Sequence, residues 1–365
     1  MIPENIYLHI FNLLPNFGPG RLIKLIQRFP KASEAFHASP PELLQAGLEK
    51  ELVEKFVTLR ASINIENEME KLQSEQIQLL SIYDTAVYPE LLKEIVNAPA
   101  LLYYKGIMQT PAELCIAVVG TRKISNYGRI ITPLLINPII QAGATIVSGL
   151  AFGVDALAQT LATQQGKRTI AVLGGGLDNK SFYPKEHQLL ADEILANGGA
   201  ILSEYPAGTP PLKHHFIARN RILSGISIAT LIIECNLKSG SLITAKYALE
   251  QNRNVYAVPG PIYAETSKGP NNLIKMGAHL VTEAADILQD LNLKTFPDQW
   301  QSQNQLGDTP LEAAILQTLT FEPISVNTLI QTLSSDAGTV TSALTFLEMK
   351  GQVKNLGGQQ YIKTR

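Results

Sequence analysis

The sequence predicts an α/β protein built on a doubly wound parallel sheet, with short helices before it and a small helical module after it. From about residue 114 to residue 291, short apolar runs rich in β-branched residues alternate with stretches of helical periodicity. Continuous apolar strands are buried on both faces, and their alternation with helices indicates parallel pairing. The predicted strands are residues 114–119, 144–147, 169–173, 200–203, 229–235, 254–258 and 279–281.

The pattern divides the 365 residues into four stretches. Residues 1–65 predict short helices around a Gly-Pro-Gly turn, which is typical of a helix-hairpin-helix unit. Residues 66–295 hold the main sheet and a lead-in layer with two further short strands. Residues 296–309 are polar and lack periodicity, which predicts a linker. Residues 310–365 predict three helices and a glycine-tipped hairpin, the pattern of a winged helix.

Alternatives remain open for both flanking modules. The glycine turn of the first helices suits a backbone contact with DNA, but this segment is acidic overall, which favours a structural scaffold. The third helix of the last module carries no Arg or Lys before Lys350, whereas a DNA-reading helix usually has more. Protein contact or a structural role is therefore favoured over reading a DNA groove.

Composition excludes several classes of protein. Hydrophobic residues make up 45% and charged residues 17%, which excludes a disordered chain. No apolar run reaches the roughly 18 residues of a membrane span, and the first residues lack a basic region followed by an apolar stretch. We therefore expect a cytoplasmic protein with no membrane partner. Cys115 and Cys235 lie in apolar runs and are predicted to be buried thiols.

The candidate site follows from what stands at the carboxyl ends of the predicted strands, where open parallel sheets bind ligands. The net charge is −2, and only the middle third is slightly basic, so an anion site must be built locally. Small residues let backbone amides approach a ligand, and helix N-termini add free N–H groups and partial positive charge. Successive strand ends carry such residues beside cations, which favours a phosphate site over simple tight turns. The small residues are Gly120, Thr121, Ser148, Gly149, Gly176, Ser239, Gly240, Ser241 and Thr244, and the cations, predicted to be mobile, are Arg122, Lys123, Lys185, Arg219, Arg221 and Lys238.

Several specific chemistries are absent from the sequence. It contains no P-loop, no G-x-G-x-x-G after a strand and no G-x-S-x-G elbow. The His214-His215 pair does not suit a metal site, because adjacent helical residues point about 100° apart. Asp155, Glu204 and Glu234 stand where catalytic carboxylates could stand, but helix capping and pairing with arginine are favoured.

These motifs together resemble the DNA-processing protein A family (DprA, also called Smf). The resemblance is strong over residues 77–290 and extends to the winged helix, while the first helices look like the family's SAM-like or helix-hairpin-helix segment. The matching motifs are Val118-Val119-Gly120-Thr121-Arg122, Ser148-Gly149-Leu150-Ala151 with Gly153 and Asp155, Gly176-Leu177-Asp178 with Tyr183-Pro184, Ser203-Glu204, Phe216 with Arg219-Asn220-Arg221, Ser239-Gly240-Ser241 with Thr244-Ala245, Pro259-Gly260, and Gly269 through Gly277-Ala278.

The resemblance implies a function without catalysis or cofactors. Family members bind single-stranded DNA with little sequence preference and load RecA recombinase onto it, displacing single-strand-binding protein during natural transformation. Their extended Rossmann-like domain carries the DNA site and usually dimerises. We therefore expect a DNA strand across the sheet edge, with Arg122, Lys123 and Lys185 on its phosphates. Amides around Gly120, Gly149, Gly176 and Gly240 would donate to phosphate oxygens, and Asn220 joins the predicted site.

The sequence departs from the family pattern at two positions. Phe152 stands where Arg is usual, and Gln159 stands where His is usual. Phe152 either stacks on a base or fills space. The alternative function is a nucleotide- or nucleoside-monophosphate-binding enzyme or sensor, although residues 258–262 lack the P-G-G-x-G-T-x-x-E run of such relatives.

Overall fold

The computed structural model describes residues 2–15, 17–108, 113–293, 309–320, 323–350 and 352–363. The chain forms two compact units, Met1–Lys294 and Thr295–Arg365. The strands of the first unit are β1 (Gln78–Ser81), β2 (Leu101–Gly106), β3 (Cys115–Val119), β4 (Thr145–Ser148), β5 (Thr169–Val172), β6 (Ala200–Ser203), β7 (Ala229–Ile232), β8 (Asn254–Ala257) and β9 (His279–Leu280). Its helices are α1 (Glu4–Asn12), α2 (Gly18–Arg28), α3 (Ala32–His37), α4 (Pro40–Gln45), α5 (Lys50–Ser62), α6 (Ile65–Ser74), α7 (Glu90–Lys93), α8 (Asn126–Gln141), α9 (Val154–Gln164), α10 (Gln188–Ala196), α11 (Lys213–Ala218), α12 (Asn220–Gly225), α13 (Gly240–Glu250), α14 (Lys268–Lys275) and α15 (Ala284–Asp290).

In the described part of the first unit the strands form a nine-stranded sheet in the order β1-β2-β6-β5-β4-β3-β7-β8-β9. Neighbours from β6 to β9 pair in parallel, which confirms the predicted α/β class. The two strands expected in a lead-in layer instead join the sheet itself: β2 pairs antiparallel with β6, and β1 antiparallel with β2.

The order of the strands creates a crevice. After β3 the chain adds β4, β5 and β6 on one side, then returns to place β7 on the other side of β3. Helices that leave β3 and β7 therefore lie on different faces of the sheet. A ligand crevice opens at the carboxyl ends of strands where the winding direction changes in this way.

Buried apolar side chains cover both faces of the sheet. A third cluster runs without interruption from the first helices to the sheet, and within it Phe11 stacks on Phe56 at 4.1 Å between ring centroids. This core crosses the predicted domain boundary at residue 65. That residues 1–65 form a separate domain therefore stays a prediction. Among the described residues, no helix has the length and apolar character needed to cross a membrane.

The second unit has the elements of a winged helix. Its elements are α16 (Pro310–Thr318), β10 (Ile324–Ser325), α17 (Val326–Leu333), α18 (Ala337–Met349), β11 (Val353–Asn355) and β12 (Gln360–Lys363). The side chains of Thr309, Ser325 and Asp336 cap the three helices by accepting backbone N–H groups. The predicted three helices and hairpin are confirmed, and β10 adds a third strand. Most of the predicted linker, residues 296–308, lies outside the described residues.

Candidate functional site

An open cleft of about 740 Å³ lies at the carboxyl ends of β3 and β7, at the change of winding direction. Its walls come from the loop after β3, the start of α9, helices α11 and α12, and the N-terminus of α13. The predicted site residues that line it are Gly120, Thr121, Arg122, Asn220, Lys238, Ser239, Gly240, Ser241 and Thr244.

The N-terminus of α13 is the predicted anion cradle. The Ser239 hydroxyl accepts the N–H of Ser241, and the Ser241 hydroxyl donates to the Gly120 carbonyl at 2.8 Å. The Asn220 side-chain amide donates to the Gly240 carbonyl at 3.1 Å, which ties α12 to this turn. The Gly240 N–H has no acceptor within the described residues. A free N–H at the positive end of a helix of 11 residues is suited to bind a phosphate.

Cations and aromatic rings face each other across the cleft. The exposed Arg122 guanidinium lies over the Phe216 ring, 5.4 Å from its centroid. The Tyr183 ring meets Phe216 edge-on at 5.8 Å. Lys213 and Lys238 also line the cleft and are exposed. Cations that neutralise phosphates beside rings that stack on bases are the usual components of a single-strand site.

Arg219 and Arg221 are buried and fixed. The prediction of mobile cations is therefore wrong for both, while the expected pairing of nearby carboxylates with these two arginines is confirmed. The Arg219 guanidinium donates to the Gly149 and Val172 carbonyls at the ends of β4 and β5. Its guanidinium also lies 5.5 Å from the centroid of the Phe216 ring. Arg221 forms an ion pair with Glu204 at 2.5 Å, with both side chains less than one tenth exposed.

The buried charges at the floor of the cleft shift each other's pKa. Burial lowers the pKa of Arg219 to about 10, while the Asp155 carboxylate opposes this fall, so Arg219 stays charged at neutral pH. Burial raises the pKa of Asp155, although Arg219 and the backbone N–H groups of Gly149, Ala151 and Gly120 favour its charged form. Asp155 thus balances Arg219 and orders the loops after β3 and β4.

The other predicted amides are already engaged. The Gly149 N–H donates to Asp155 at 3.1 Å, and the Gly176 N–H donates to the Thr209 carbonyl at 2.9 Å. The Gly120 N–H is directed at Asp155. The Ser148 hydroxyl donates to the Val118 carbonyl at 2.6 Å. Folding therefore corrects the expected mechanism, because Gly149 and Gly176 have no amide to offer a phosphate.

Several predicted residues stand apart from the cleft lining. Lys123 is exposed beside Arg122, and Lys185 donates to the Asn179 carbonyl. Phe152 is half-buried and packs against His187, with ring centroids 4.7 Å apart. Their contact with DNA stays a prediction. Gln159, at the second unusual position, bridges the Leu150 N–H and the Ile170 carbonyl, both at 3.1 Å.

The carboxylates singled out in the sequence cap and pair, as expected. Glu204 pairs with Arg221, and Asp155 lies with Arg219. Glu234 accepts the Ser125 N–H at 3.0 Å and the Thr266 hydroxyl at 3.0 Å, which fixes the start of α8.

The lining residues that sequence reasoning did not assign to the site include Lys213, Asn236 and the rings of Tyr183 and Phe216. A signal for Lys213 was present, since it precedes Phe216 by three residues and so shares its helix face. Tyr183 and Asn236 come from loops, and loop positions carry no periodic signal.

The fold and cleft define the class of this molecule: an α/β protein with a large parallel sheet, an open cleft at the carboxyl ends of its strands and a C-terminal winged helix. The sequence model of the family described as DNA recombination-mediator protein A matches residues 79–292, and that of the DprA winged helix domain matches residues 301–359. The chain belongs to the DprA family, which confirms the resemblance.

Relatives match this chain over more than half of its length, and one matches all of it. Protein Smf of Escherichia coli K12 is 33% identical over 371 residues, covering 100% of this chain and 97% of that protein. The DNA processing protein DprA of Streptococcus pneumoniae R6 is 44% identical over 203 residues, covering 56% of this chain and 71% of that protein.

Solved structures agree in fold. The X-ray structure of DprA from Streptococcus pneumoniae has a TM-score of 0.68 and 34% identity, covering 81% of this chain and 100% of that one. The Helicobacter pylori protein, studied for its single-stranded DNA binding mode, has a TM-score of 0.52 and 31% identity, covering 60% of this chain and 96% of that one.

Proposed function

We propose that this protein binds single-stranded DNA without sequence preference in the cleft and loads RecA recombinase onto it, during natural transformation and recombination. The observation that carries the DNA-binding proposal is the convergence of Arg122, Phe216 and the free Gly240 N–H in one open cleft. RecA loading, with displacement of single-strand-binding protein, rests on membership of the family.

The geometry suggests how a strand is held. One phosphate sits on the Gly240 N–H at the start of α13, and Arg122, Lys213 and Lys238 neutralise this phosphate and its neighbours. A base stacks on the exposed part of Phe216 or on Tyr183. Phosphate contacts and stacking carry no base-edge information, so binding is sequence-independent.

We propose that the site binds DNA and does not catalyse a reaction. We also propose that the protein acts in the cytoplasm. The carboxylates near the cleft are used to hold arginines and loops, and a hydrolytic or transfer reaction would need one of them free to exchange protons with substrate.

The direct test is a gel shift with labelled single- and double-stranded oligonucleotides of several sequences at two salt concentrations. We expect preferential binding of every single strand and weaker binding at high salt. Thermal-shift screening with nucleotides tests the alternative. Stabilisation by a nucleotide, without a single-strand shift, would overturn the proposal.

Replacing Arg122 with Ala should weaken binding of all single strands about equally. Each phosphate contact on a single strand contributes about 0.7 to the slope of log affinity against log salt, so the slope should flatten by about that amount. Lys246→Ala is the control, because Lys246 lies on α13 outside the cleft lining with its side chain 75% exposed. An unchanged slope in Arg122→Ala would remove Arg122 from the site.

The far end of the sheet suggests how the expected homodimer forms. Strand β9 is an edge strand, and a groove of about 510 Å³ lies beside it. Ile262 is 88% exposed, Met276 72%, Leu237 56% and Leu280 49%. An unprotected edge strand is a template for pairing with another chain, and large exposed apolar patches mark interaction sites. Since Leu237 adjoins Lys238, a second copy here would extend the cationic track.

Replacing Ile262 with Asp should convert the dimer to a monomer and weaken binding of long single strands. The substitution places a charge in an apolar interface without disturbing the folded monomer, because Ile262 is almost fully exposed. Analytical ultracentrifugation measures the change. Leu189→Asp is the control, since Leu189 is 78% exposed on α10. If the dimer dissociates to the same extent in both variants, or in neither of them, the dimer surface lies elsewhere.

A further inference from the structure

A second groove, of about 490 Å³, lies between α1, α6 and the edge strand β1. It shares no lining residue with the DNA cleft. Its floor is apolar, and glutamine side chains stand along it as hydrogen-bonding groups. The apolar lining includes Ile6, Met69, Leu72 and Leu79, and Gln73 and Gln76 are among the glutamines.

Two unpaired carboxylates, Glu66 and Glu70, stand on α6, the helix that lines one side of this groove. Glu66 stands three residues before Met69 and Glu70 three residues before Gln73, so each carboxylate lies on the same side of the helix as one lining residue. Glu66 and Glu70 are exposed, and within the described residues neither forms an ion pair or a side-chain hydrogen bond. The third carboxylate of this helix, Glu68, is occupied by Lys71 at 2.5 Å and by His9 at 3.5 Å.

The nearby cations do not neutralise this border. Lys71 is held by Glu68, and Lys105 lies 4.0 Å from Glu75. An apolar groove with free negative charge at its rim repels a phosphate backbone. It complements a polypeptide that combines apolar and basic side chains.

We propose that this groove binds an extended segment of a partner protein in which apolar side chains alternate with Lys or Arg. The apolar side chains would fill the space between Met69, Leu72 and Leu79. The basic side chains would pair with Glu66 and Glu70, and the glutamine amides would bond to the segment's backbone. The groove would thus bring a protein to the molecule at a surface separate from the DNA cleft.

The test uses the full chain and two fluorescein-labelled peptides, without DNA. In one peptide Val and Leu alternate with Lys, and in the other the same residues alternate with Glu. We expect fluorescence anisotropy to show binding of the lysine peptide alone. The double variant Glu66→Lys/Glu70→Lys should weaken that binding about two- to thirtyfold, the contribution expected of two exposed ion pairs.

The matched control is Glu54→Lys/Glu250→Lys, which changes net charge equally at exposed residues outside the groove lining. Retained binding by the control and weakened binding by the groove variant support the proposal. Equal weakening of both variants would mean non-specific charge attraction and overturn it. A third outcome is that the natural chain does not bind the lysine peptide and that only the groove variant changes its sedimentation. This result would assign the groove to a second copy of the chain and would also overturn the proposal.

Discussion

Replacing Arg219 with Met is expected to lower the free energy of unfolding by about 3–5 kcal/mol, the usual effect of removing one partner from a buried charged network. The guanidinium is 5% exposed and satisfies the carbonyls of Gly149 and Val172. Without it these carbonyls are buried and unpaired, and Asp155 keeps an uncompensated negative charge. Denaturation by urea or guanidinium chloride measures the loss.

The second variant Asp155→Asn separates the charge effect from the lost hydrogen bonds. Arg219→Met combined with Asp155→Asn should be less destabilised than the sum of the single variants, because the uncompensated carboxylate is gone. Full additivity would contradict the pairing of these two residues.

The stability of Arg219→Met should also depend on pH in a defined direction. Burial raises the pKa of Asp155 in the folded state, and without Arg219 nothing cationic opposes that rise. When a carboxyl has a higher pKa in the folded state than in the unfolded state, the protein loses stability as the pH rises through the folded-state pKa. The deficit relative to the natural protein should therefore be smaller at pH 5 than at pH 8. A deficit that grows on acidification would refute this account.

Replacing Phe216 with Ala is expected to weaken single-strand binding by about 1–3 kcal/mol, or roughly five- to 150-fold, the usual loss when a stacking ring is removed. Both the Arg122 and the Arg219 guanidinium groups lie within 5.5 Å of the ring centroid, so loss of the ring also frees Arg122 to move. Fluorescence anisotropy with a labelled oligothymidine measures affinity, and a melting curve checks that the variant is folded.

Two further variants make the stacking role testable. Phe216→Tyr keeps an aromatic face and should retain most of the affinity. Phe346→Ala removes a ring that is 57% exposed on α18 and should leave cleft binding unchanged if the cleft alone stacks bases. A folded Phe216→Ala variant with natural affinity would show that no base stacks on this ring.

Much of the architecture was determined by local sequence pattern. The strands at 115–119, 169–172 and 229–232 lie inside apolar runs visible in the sequence, and the three helices and hairpin of the winged helix follow from periodicity and turn residues. These signals are local, because the spacing of apolar residues along the chain depends only on the geometry of a single strand or helix. The predicted anion cradle at Ser239-Gly240-Ser241 rests on the same kind of local signal, since a helix N-terminus has its free N–H wherever it is placed.

Tertiary structure decided which groups remain available. Arg122 and Arg219 both looked like mobile cations, yet Arg219 is buried where the ends of β4 and β5 and the carboxylate of Asp155 meet, while Arg122 stays exposed above Phe216. The Gly149 amide donates to Asp155 at the start of the following helix, and the Gly176 amide donates to Thr209 on a distant loop. Strand β2 joined the sheet through pairing with β6, and β1 through pairing with β2. Whether a charge or an N–H is free depends on its neighbours in space, and these are brought together only when distant segments pack.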